Sequence, residues 1–144
     1  MSTSYDAGVI LGVKLSEIGF NVEKISVPYE IHDKKGKPTG EIGYDTCVKI
    51  IFQGEESVEE DIDSDTIEEL INIKKPLKFL DISGDGFDIN NIIIGINLAD
   101  IDYNDWNVIK EIIVEGKIEF VKSELKKQFN VDVEPKLYFY FQVG

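Results

Sequence analysis

The chain has 144 residues, 42% of them hydrophobic, which is enough for one domain with a core of its own. Its 28 acidic and 15 basic residues give a formal net charge of −13, and every basic residue is a lysine. This charge disfavours direct binding to DNA or RNA, and the absence of arginine removes the side chain best suited to bidentate phosphate recognition.

Three strands are predicted in the first third of the chain. Apolar residues alternate with glycine or polar residues from Tyr5 to Leu15, and alternation returns in segments 25–31 and 42–52. The polar stretch 33–40 separates these two segments and predicts a hairpin turn. Pro28 lacks a backbone donor, so we expect the first arm of this hairpin at a sheet edge or a bulge.

A solvated loop and a short helix are predicted next. The loop covers residues 54–63, which are rich in carboxylates. The helix covers roughly residues 64–75, with Ile67, Leu70 and Ile71 as its buried stripe. Carboxylates in the first turn and lysines at the end of this segment both suit the helix dipole.

The second half predicts another hairpin, a long helix and a last strand. Segments 77–82 and 91–98 form the hairpin, and its second arm is expected to be central. Residues 104–129 form the helix, which Asn130 ends in a left-handed conformation. The last strand follows Pro135. The helix carries two apolar stripes displaced around its axis, Trp106, Ile109, Ile113, Gly116 and Phe120, and Ile118, Val121, Leu125 and Phe129.

These elements predict an α+β fold in a single domain over residues 1–144. The expected order is β-β-β-α-β-β-α-β, with a mostly antiparallel sheet of about six strands and one short and one long helix packed on it. The chain has no glycine-rich turn between a strand and a helix, which disfavours a doubly wound nucleotide-binding sheet. The pattern does not determine the order of the strands within the sheet.

The N-terminal third resembles the opening of small uncharacterised bacteriophage proteins. The similarity lies in Ser4-Tyr5-x-Ala7, in Gly12-Val13-Lys14-Leu15, and in Tyr29 followed by Asp33-x-x-Gly36-Lys37-Pro38. Many of those proteins carry cysteine clusters, and this chain has a single cysteine, so a zinc ribbon is excluded here. The resemblance implies an origin in a phage or mobile element and implies no activity.

The residues with catalytic potential are few, and no enzyme is predicted. His32 is the one histidine, and without a nucleophile motif we interpret it as a solvated turn residue. Cys47 needs a nearby histidine to act as a nucleophile, and the hairpin raises the alternative that His32 lies across from it. A lone cysteine, no apolar run of about 20 residues and no signal-peptide pattern predict a cytoplasmic protein without membrane contact.

Acidic clusters raise the alternative of a calcium or small-ligand site, although no cofactor is predicted. The turn Asp81–Asp88 matches the first half of an EF-hand loop, but Ile92 occupies the position of the bidentate glutamate. The better candidate has carboxylates or amides at four of the EF-hand positions, Asp100, Asp102, Asn104 and Glu111.

The leading hypothesis is a non-catalytic acidic binding protein, a phage accessory or counter-defence protein that engages a basic host protein. Its contact surface is the predicted acidic set, Glu55, Glu56, Glu59, Glu60, Asp61, Asp63 and Asp65. The alternative interpretation is that the same carboxylates have no partner-binding role. They are then solvated in a loop and, at the start of the helix, favourably placed near the positive end of its dipole. The other alternative is a structural component that assembles with itself through an exposed edge strand or through Tyr138 and Tyr140.

Overall fold

The computed structural model describes residues 5–83, 87–101 and 115–143. The described strands and helices follow one another as β1 (Tyr5–Lys14), β2 (Asn21–His32), β3 (Pro38–Phe52), β4 (Glu55–Glu59), α1 (Ser64–Ile71), β5 (Lys78–Asp81), β6 (Ile92–Ile101), α2 (Glu115–Phe129) and β7 (Lys136–Val143). Short 3-10 turns occupy Leu15–Ile18 and Ile89–Asn91. The fold is α+β with antiparallel strand pairing, as predicted.

The chain divides into two compact units, each with a sheet of its own. The larger unit contains Met1–Ile18 and Ser64–Gly144, and the hairpin unit contains Gly19–Asp63. The larger unit has a four-stranded sheet in the order β5-β6-β1-β7, and the hairpin unit has a three-stranded sheet in the order β2-β3-β4. The strands expected in one sheet are therefore distributed over two.

β1 lies between β6 and β7 in the four-stranded sheet, and its side chains are buried on both faces. Val9, Leu11 and Val13 are no more than 1% exposed, and Ile10, which points to the opposite face, is fully buried. β6 pairs with both β1 and β5, which confirms the prediction that the second arm of that hairpin is central.

Glycines let β1 and β6 approach each other closely. Gly12 lies opposite Gly95 in the register of the two strands. A Cβ atom added to Gly95 would lie 2.1 Å from the carbonyl oxygen of Leu11, and one added to Gly12 would lie 2.3 Å from the carbonyl oxygen of Ile94. A third contact of this kind lies on the β7 side, where a Cβ on Gly8 would meet the ring of Tyr140 at 2.4 Å. The bare glycine face predicted for β1 is therefore occupied by neighbouring strands and a tyrosine ring.

The helices of the larger unit bury one stripe each. In α1, Ile67 and Ile71 are buried as predicted, whereas Leu70 is 42% exposed, so its predicted place in the stripe is wrong. The helix also ends at Ile71, earlier than expected, because Asn72 adopts a left-handed conformation with φ 52°.

The described part of α2 confirms the second of its two predicted stripes. Val121, Leu125 and Phe129 are buried and Ile118 is half-buried. Phe120 of the other predicted stripe is 42% exposed, so its predicted burial is wrong. Asn130 has φ 56° and its amide donates to the carbonyl of Lys126, so the predicted left-handed end of this helix is confirmed. The predicted helical segment 104–114 lies outside the described residues.

The hairpin unit is a long hairpin with a short third strand. Pro28 lies in β2, an outer strand of this sheet, as its missing donor predicts. Residues 55–59 were predicted to be a loop, and that prediction is wrong because they form β4 against β3. Gln53 and Gly54 have φ values of 52° and 80°, the two consecutive positive angles that a tight two-residue hairpin turn requires.

Candidate protein-binding surface

The far half of the β2–β3 hairpin exposes large apolar side chains on both faces. Tyr29 is 46% exposed, Ile42 62% and Tyr44 67%. Tyr29 pairs with Gly43, while Ile42 and Tyr44 pair with Glu30 and Pro28 in the rows on either side. Because paired residues share a face and successive residues alternate, Tyr29 lies on one face and Ile42 and Tyr44 on the other. We call these three rows the distal rows.

Tyr29 is held against the strand opposite. A Cβ atom on Gly43 would lie 2.5 Å from Cζ of Tyr29, so the ring occupies the space that any larger residue at position 43 would need. The ring thus covers Gly43 and remains 46% exposed on its other side. On the opposite face, Ile42 and Tyr44 are the more exposed pair, and they give this face an apolar surface next to Thr46.

A lysine-rich turn closes the hairpin beyond the distal rows. The hairpin tip, residues 33–37, contains exposed Lys34, Lys35 and Lys37. The carboxylate of Asp33 accepts hydrogen bonds from the backbone amides of Lys35 (2.8 Å) and Lys37 (3.0 Å), which fixes the turn. The ammonium groups of the three lysines are therefore carried on a defined backbone at the end of the hairpin.

The predicted acidic set is exposed and falls in both units. All seven members are exposed, Glu55, Glu56, Glu59, Glu60, Asp61, Asp63 and Asp65. The first six belong to the acidic segment, residues 55–63 of the hairpin unit, whereas Asp65 lies in the first turn of α1 in the larger unit. Glu56 forms an ion pair with Lys49 of β3, with 3.3 Å between Oε2 and Nζ. The acidic segment includes an outer strand, β4, of the described three-stranded sheet.

The tip and the acidic segment lie at opposite ends of the hairpin. β4 pairs with residues 48–52 of β3, and the tip precedes Pro38 at the other end of the same strand. Ten residues of extended chain separate Pro38 from Val48, which corresponds to about 33 Å at the usual rise of a strand. The lysines of the tip therefore cannot pair with the carboxylates of β4 within one sheet.

His32 and Cys47 do not form a catalytic pair. Cys47 lies opposite Ile25, and His32 lies opposite Pro38, so the alternative that placed His32 across from Cys47 is wrong. Seven strand positions between Ile25 and His32 correspond to about 23 Å, far beyond the reach of a proton transfer. Nε2 of His32 lies 3.9 Å from a carboxylate oxygen of Glu30 on the exposed hairpin.

The predicted cation sites fall largely on residues that the structure does not describe. For the set Asp100, Asp102, Asn104 and Glu111, the last three residues and the side chain of Asp100 lie outside the described region. Among the described residues, no group of three or more histidine, cysteine, aspartate or glutamate side chains is arranged to hold a metal ion. In the Asp81–Asp88 turn, residues 84–86 lie outside the described region.

The carboxylate of Asp81 accepts hydrogen bonds with both of its oxygens. Its Oδ2 accepts a hydrogen bond from the hydroxyl of Ser64 at 2.6 Å, and its Oδ1 accepts one from the amide of Ser83 at 2.9 Å. Partial burial acts to raise the pKa of Asp81, but the hydrogen bonds from Ser64 and Ser83 together outweigh it and lower the pKa below the model-compound value of 3.8. The carboxylate thus links the start of α1 to the end of β5.

Replacing Asp81 with asparagine is expected to destabilise the protein in a pH-dependent way. The folded protein holds the carboxylate more acidic than the unfolded chain does, so its stabilisation is present above about pH 4 and is lost as the pH falls through the folded-state pKa. At pH 7 we expect Asp81→Asn to lower the free energy of unfolding by about 1 kcal/mol, since water screens hydrogen bonds to an exposed carboxylate. Urea unfolding at pH 7 and pH 3 measures this difference, which should shrink at pH 3. An equal difference at both values would contradict it.

The tyrosine face of β7 is the more covered of its two faces. Tyr138 and Tyr140 are half-buried, whereas Phe139 on the opposite face is 59% exposed. Burial, and secondly the negative charge of Glu17, raise the pKa of Tyr138. The predicted use of the two tyrosines as an exposed anchor therefore stays a prediction with weaker support than the hairpin.

A shallow depression beside α1 is the candidate for a small ligand. It is lined by Asp65, Glu68, Glu69, Asn72 and Ile73, with a volume of about 410 Å³. Four of these five residues are polar and three are acidic, whereas small-molecule sites are mostly apolar and enclosed. The depression resembles a solvated helix surface more than a ligand pocket.

The sequence analysis did not identify the exposed residues of the hairpin as candidate binding residues. Alternation of Ile42, Tyr44 and Thr46 predicted the strand but gave no sign that the side chains lie outside a core. The available signal was Pro28, because an edge strand beside a lysine-rich turn is a solvent-facing position.

Neither described helix combines the length and the apolar character that a membrane crossing requires. Comparison with protein-family models, with curated proteins and with solved structures finds no match to this chain.

Proposed function

We propose that this chain is a non-catalytic protein-binding protein whose contact element is the far half of the β2–β3 hairpin. The observation that carries the proposal is the exposure of Ile42 and Tyr44, at 62% and 67%, side by side on one face of the hairpin, with Tyr29 46% exposed on the other face. Scattered apolar residues are normal on a protein surface, but neighbouring exposed ones such as Ile42 and Tyr44 are typical of an interaction site.

The chemistry of these residues suits an interface. Tyrosine is enriched among the residues that dominate binding energy, and truncating such a residue costs about 2 kcal/mol or more. Glu30, which pairs with Ile42, and the exposed lysines of the tip farther along the hairpin are charged residues of the kind that border the apolar centre of a typical interface. Since the hairpin is a defined two-stranded element with a fixed turn, little backbone has to be ordered on binding.

The acidic segment supports a second candidate function, binding to a basic protein. Six carboxylates occur in residues 55–63 without a basic residue, and β4 is an outer strand onto which another strand can add. Carboxylates on an outer strand also discourage unwanted pairing, so the same residues have a structural explanation. Under this candidate the partner is a basic host protein, because a dense set of carboxylates favours a basic partner and the resemblance of the N-terminal third to phage proteins implies an origin in a phage or mobile element.

One capture experiment separates the two candidates. The tagged protein is incubated with a bacterial lysate and, separately, with purified untagged protein at low and high salt. We expect the double variant Ile42→Ser and Tyr44→Ser to capture at least tenfold less protein than the wild type, because the two changes remove the apolar centre of the contact. Thr46→Ala, on the same exposed face, serves as the control and should retain capture.

The acidic candidate predicts a different pattern. Changing the seven members of the predicted acidic set to asparagine or glutamine would then abolish a salt-sensitive capture that the hairpin variant retains. Capture that survives both sets of changes would contradict both candidates. Circular dichroism of each variant confirms that it is folded before the comparison.

A further inference from the structure

We infer that the partner of the hairpin is a second copy of this chain, with the tip and distal rows of one copy docking on the acidic segment of the next. The inference deepens the proposed function and rests on it. Two observations lead to it, the complementary charge of the two ends of the hairpin unit and their placement at opposite ends of one strand.

The charges of the two ends are opposite. The tip carries three lysines and one aspartate, and the carboxylate of Asp33 already accepts hydrogen bonds from two turn amides. The strands beside the tip add the acids Glu30 and Glu41, so the positive charge is confined to the tip itself. The acidic segment carries six carboxylates and no basic residue, and Glu56 is paired with Lys49. In a chain with a net charge of −13, a cluster of three lysines has a local sign opposite to that of the molecule. Such a cluster directs association toward a strongly acidic surface, and another copy supplies one.

The geometry prevents the two ends from meeting within one sheet. About 33 Å of β3 separates the tip from the rows that pair with β4. The same separation places a donor surface and an acceptor surface at the two ends of each hairpin unit. A contact between unlike surfaces is heterologous, and repeated contacts of this kind give a ring if the rotation closes and a filament if it does not.

Apolar side chains accompany the charges on both surfaces. Ile42 and Tyr44 lie farther along β3 from the tip, and in β4 Val58 is 53% exposed on the same face as Glu56. An apolar contact bordered by opposite charges is the usual composition of a specific interface. Val58 and the distal rows therefore form the centre of the proposed contact, and the lysines and glutamates form its rim.

The backbone edges of the sheet favour the same contact. β4 covers only rows 48–52 of β3, so among the described strands none pairs with residues 38–47 on that side. β4 itself has an outer edge in the described sheet. Unpaired edge groups pair readily with a strand of another chain, and the charges at the two ends select which edges meet.

A charge-reversal experiment tests the inference. The tip variant combines Lys34→Glu, Lys35→Glu and Lys37→Glu. The acceptor variant combines Glu55→Lys, Glu59→Lys and Glu60→Lys. A control with the same change in net charge as the tip variant combines Lys74→Glu, Lys75→Glu and Lys78→Glu, three exposed lysines of the larger unit. Sedimentation velocity over a range of protein concentrations reports the assembly state of each protein.

We expect the wild type and the control to form concentration-dependent assemblies, and each reversed variant alone to raise the dissociation constant at least tenfold. A mixture of the tip variant with the acceptor variant should recover assembly, because the lysine tip of one then meets the unchanged acids of the other. Recovery in the mixture also shows that both variants are folded.

Two results would overturn the inference. One is a wild type that remains monomeric at all concentrations, and the other is reversed variants that assemble as the wild type does. If the wild type is monomeric but captures another protein through Ile42 and Tyr44, the inference fails and the proposed function stands. If no capture depends on Ile42 and Tyr44, the proposed function fails as well.

Discussion

Gly95→Ala is expected to destabilise the protein by about 3 kcal/mol or more, a large part of the 5–15 kcal/mol that holds a typical domain folded. The added Cβ would lie 2.1 Å from the carbonyl oxygen of Leu11 and 2.6 Å from Cα of Gly12. Both atoms belong to the backbone of β1, the strand that pairs with β6 and β7. Relief of the overlap therefore requires the strands to separate, which weakens their hydrogen bonds.

The matched control is Gly116→Ala in α2. Among the described residues, a Cβ there meets no atom within 4 Å beyond its own stretch of helix, and alanine has the higher helix propensity, so we expect stabilisation of about 0.5–1 kcal/mol. Urea unfolding followed by circular dichroism measures both variants. Equal effects of the two changes would contradict the close strand approach at Gly95.

Ile10→Ala is expected to lower the free energy of unfolding by about 2–5 kcal/mol, because it leaves a cavity in a packed core. Ile10 is fully buried in the central part of the larger unit's sheet. Its counterpart is Ile42→Ala, which removes the same atoms from a side chain that is 62% exposed. The effect of Ile42→Ala on stability should stay within about 0.5 kcal/mol.

This pair of variants separates folding from binding. Thermal unfolding of the two proteins, with the wild type as reference, gives the stability difference directly. If Ile42→Ala destabilises as much as Ile10→Ala, the far half of the hairpin is packed in solution and is not an open surface. The proposed function predicts the opposite combination, a stable Ile42→Ala protein with weakened binding.

Strand periodicity predicted most of the elements because side-chain alternation reflects the pleat itself. The alternations of 5–15, 25–31 and 42–52 correspond to β1, β2 and β3. Pro28 indicated an edge for a reason that needs no tertiary information, its missing amide donor. Asn130 likewise ended its helix by a local preference for the left-handed conformation.

The sequence analysis did not predict β4, because its composition is unfavourable for a strand and the strand forms only through pairing with β3. Glutamates are depleted in strands, and the segment has no alternating apolar pattern. The tight turn at Gln53–Gly54 and the cross-strand ion pair between Glu56 and Lys49 hold it against β3. Pairing across a sheet thus overrode the local preference for a loop.

The sequence by itself determined the α+β class, most of the strands, the edge position of Pro28 and the end of α2, since each depends on local backbone chemistry or on side-chain period. The tertiary structure alone decided the distribution of strands over two sheets, the contact between Gly12 and Gly95, and the separation of His32 from Cys47. It also decided that Ile42 and Tyr44 are exposed. The physical reason is that alternation assigns a residue to one face of a strand, whereas exposure depends on what distant parts of the chain place against that face.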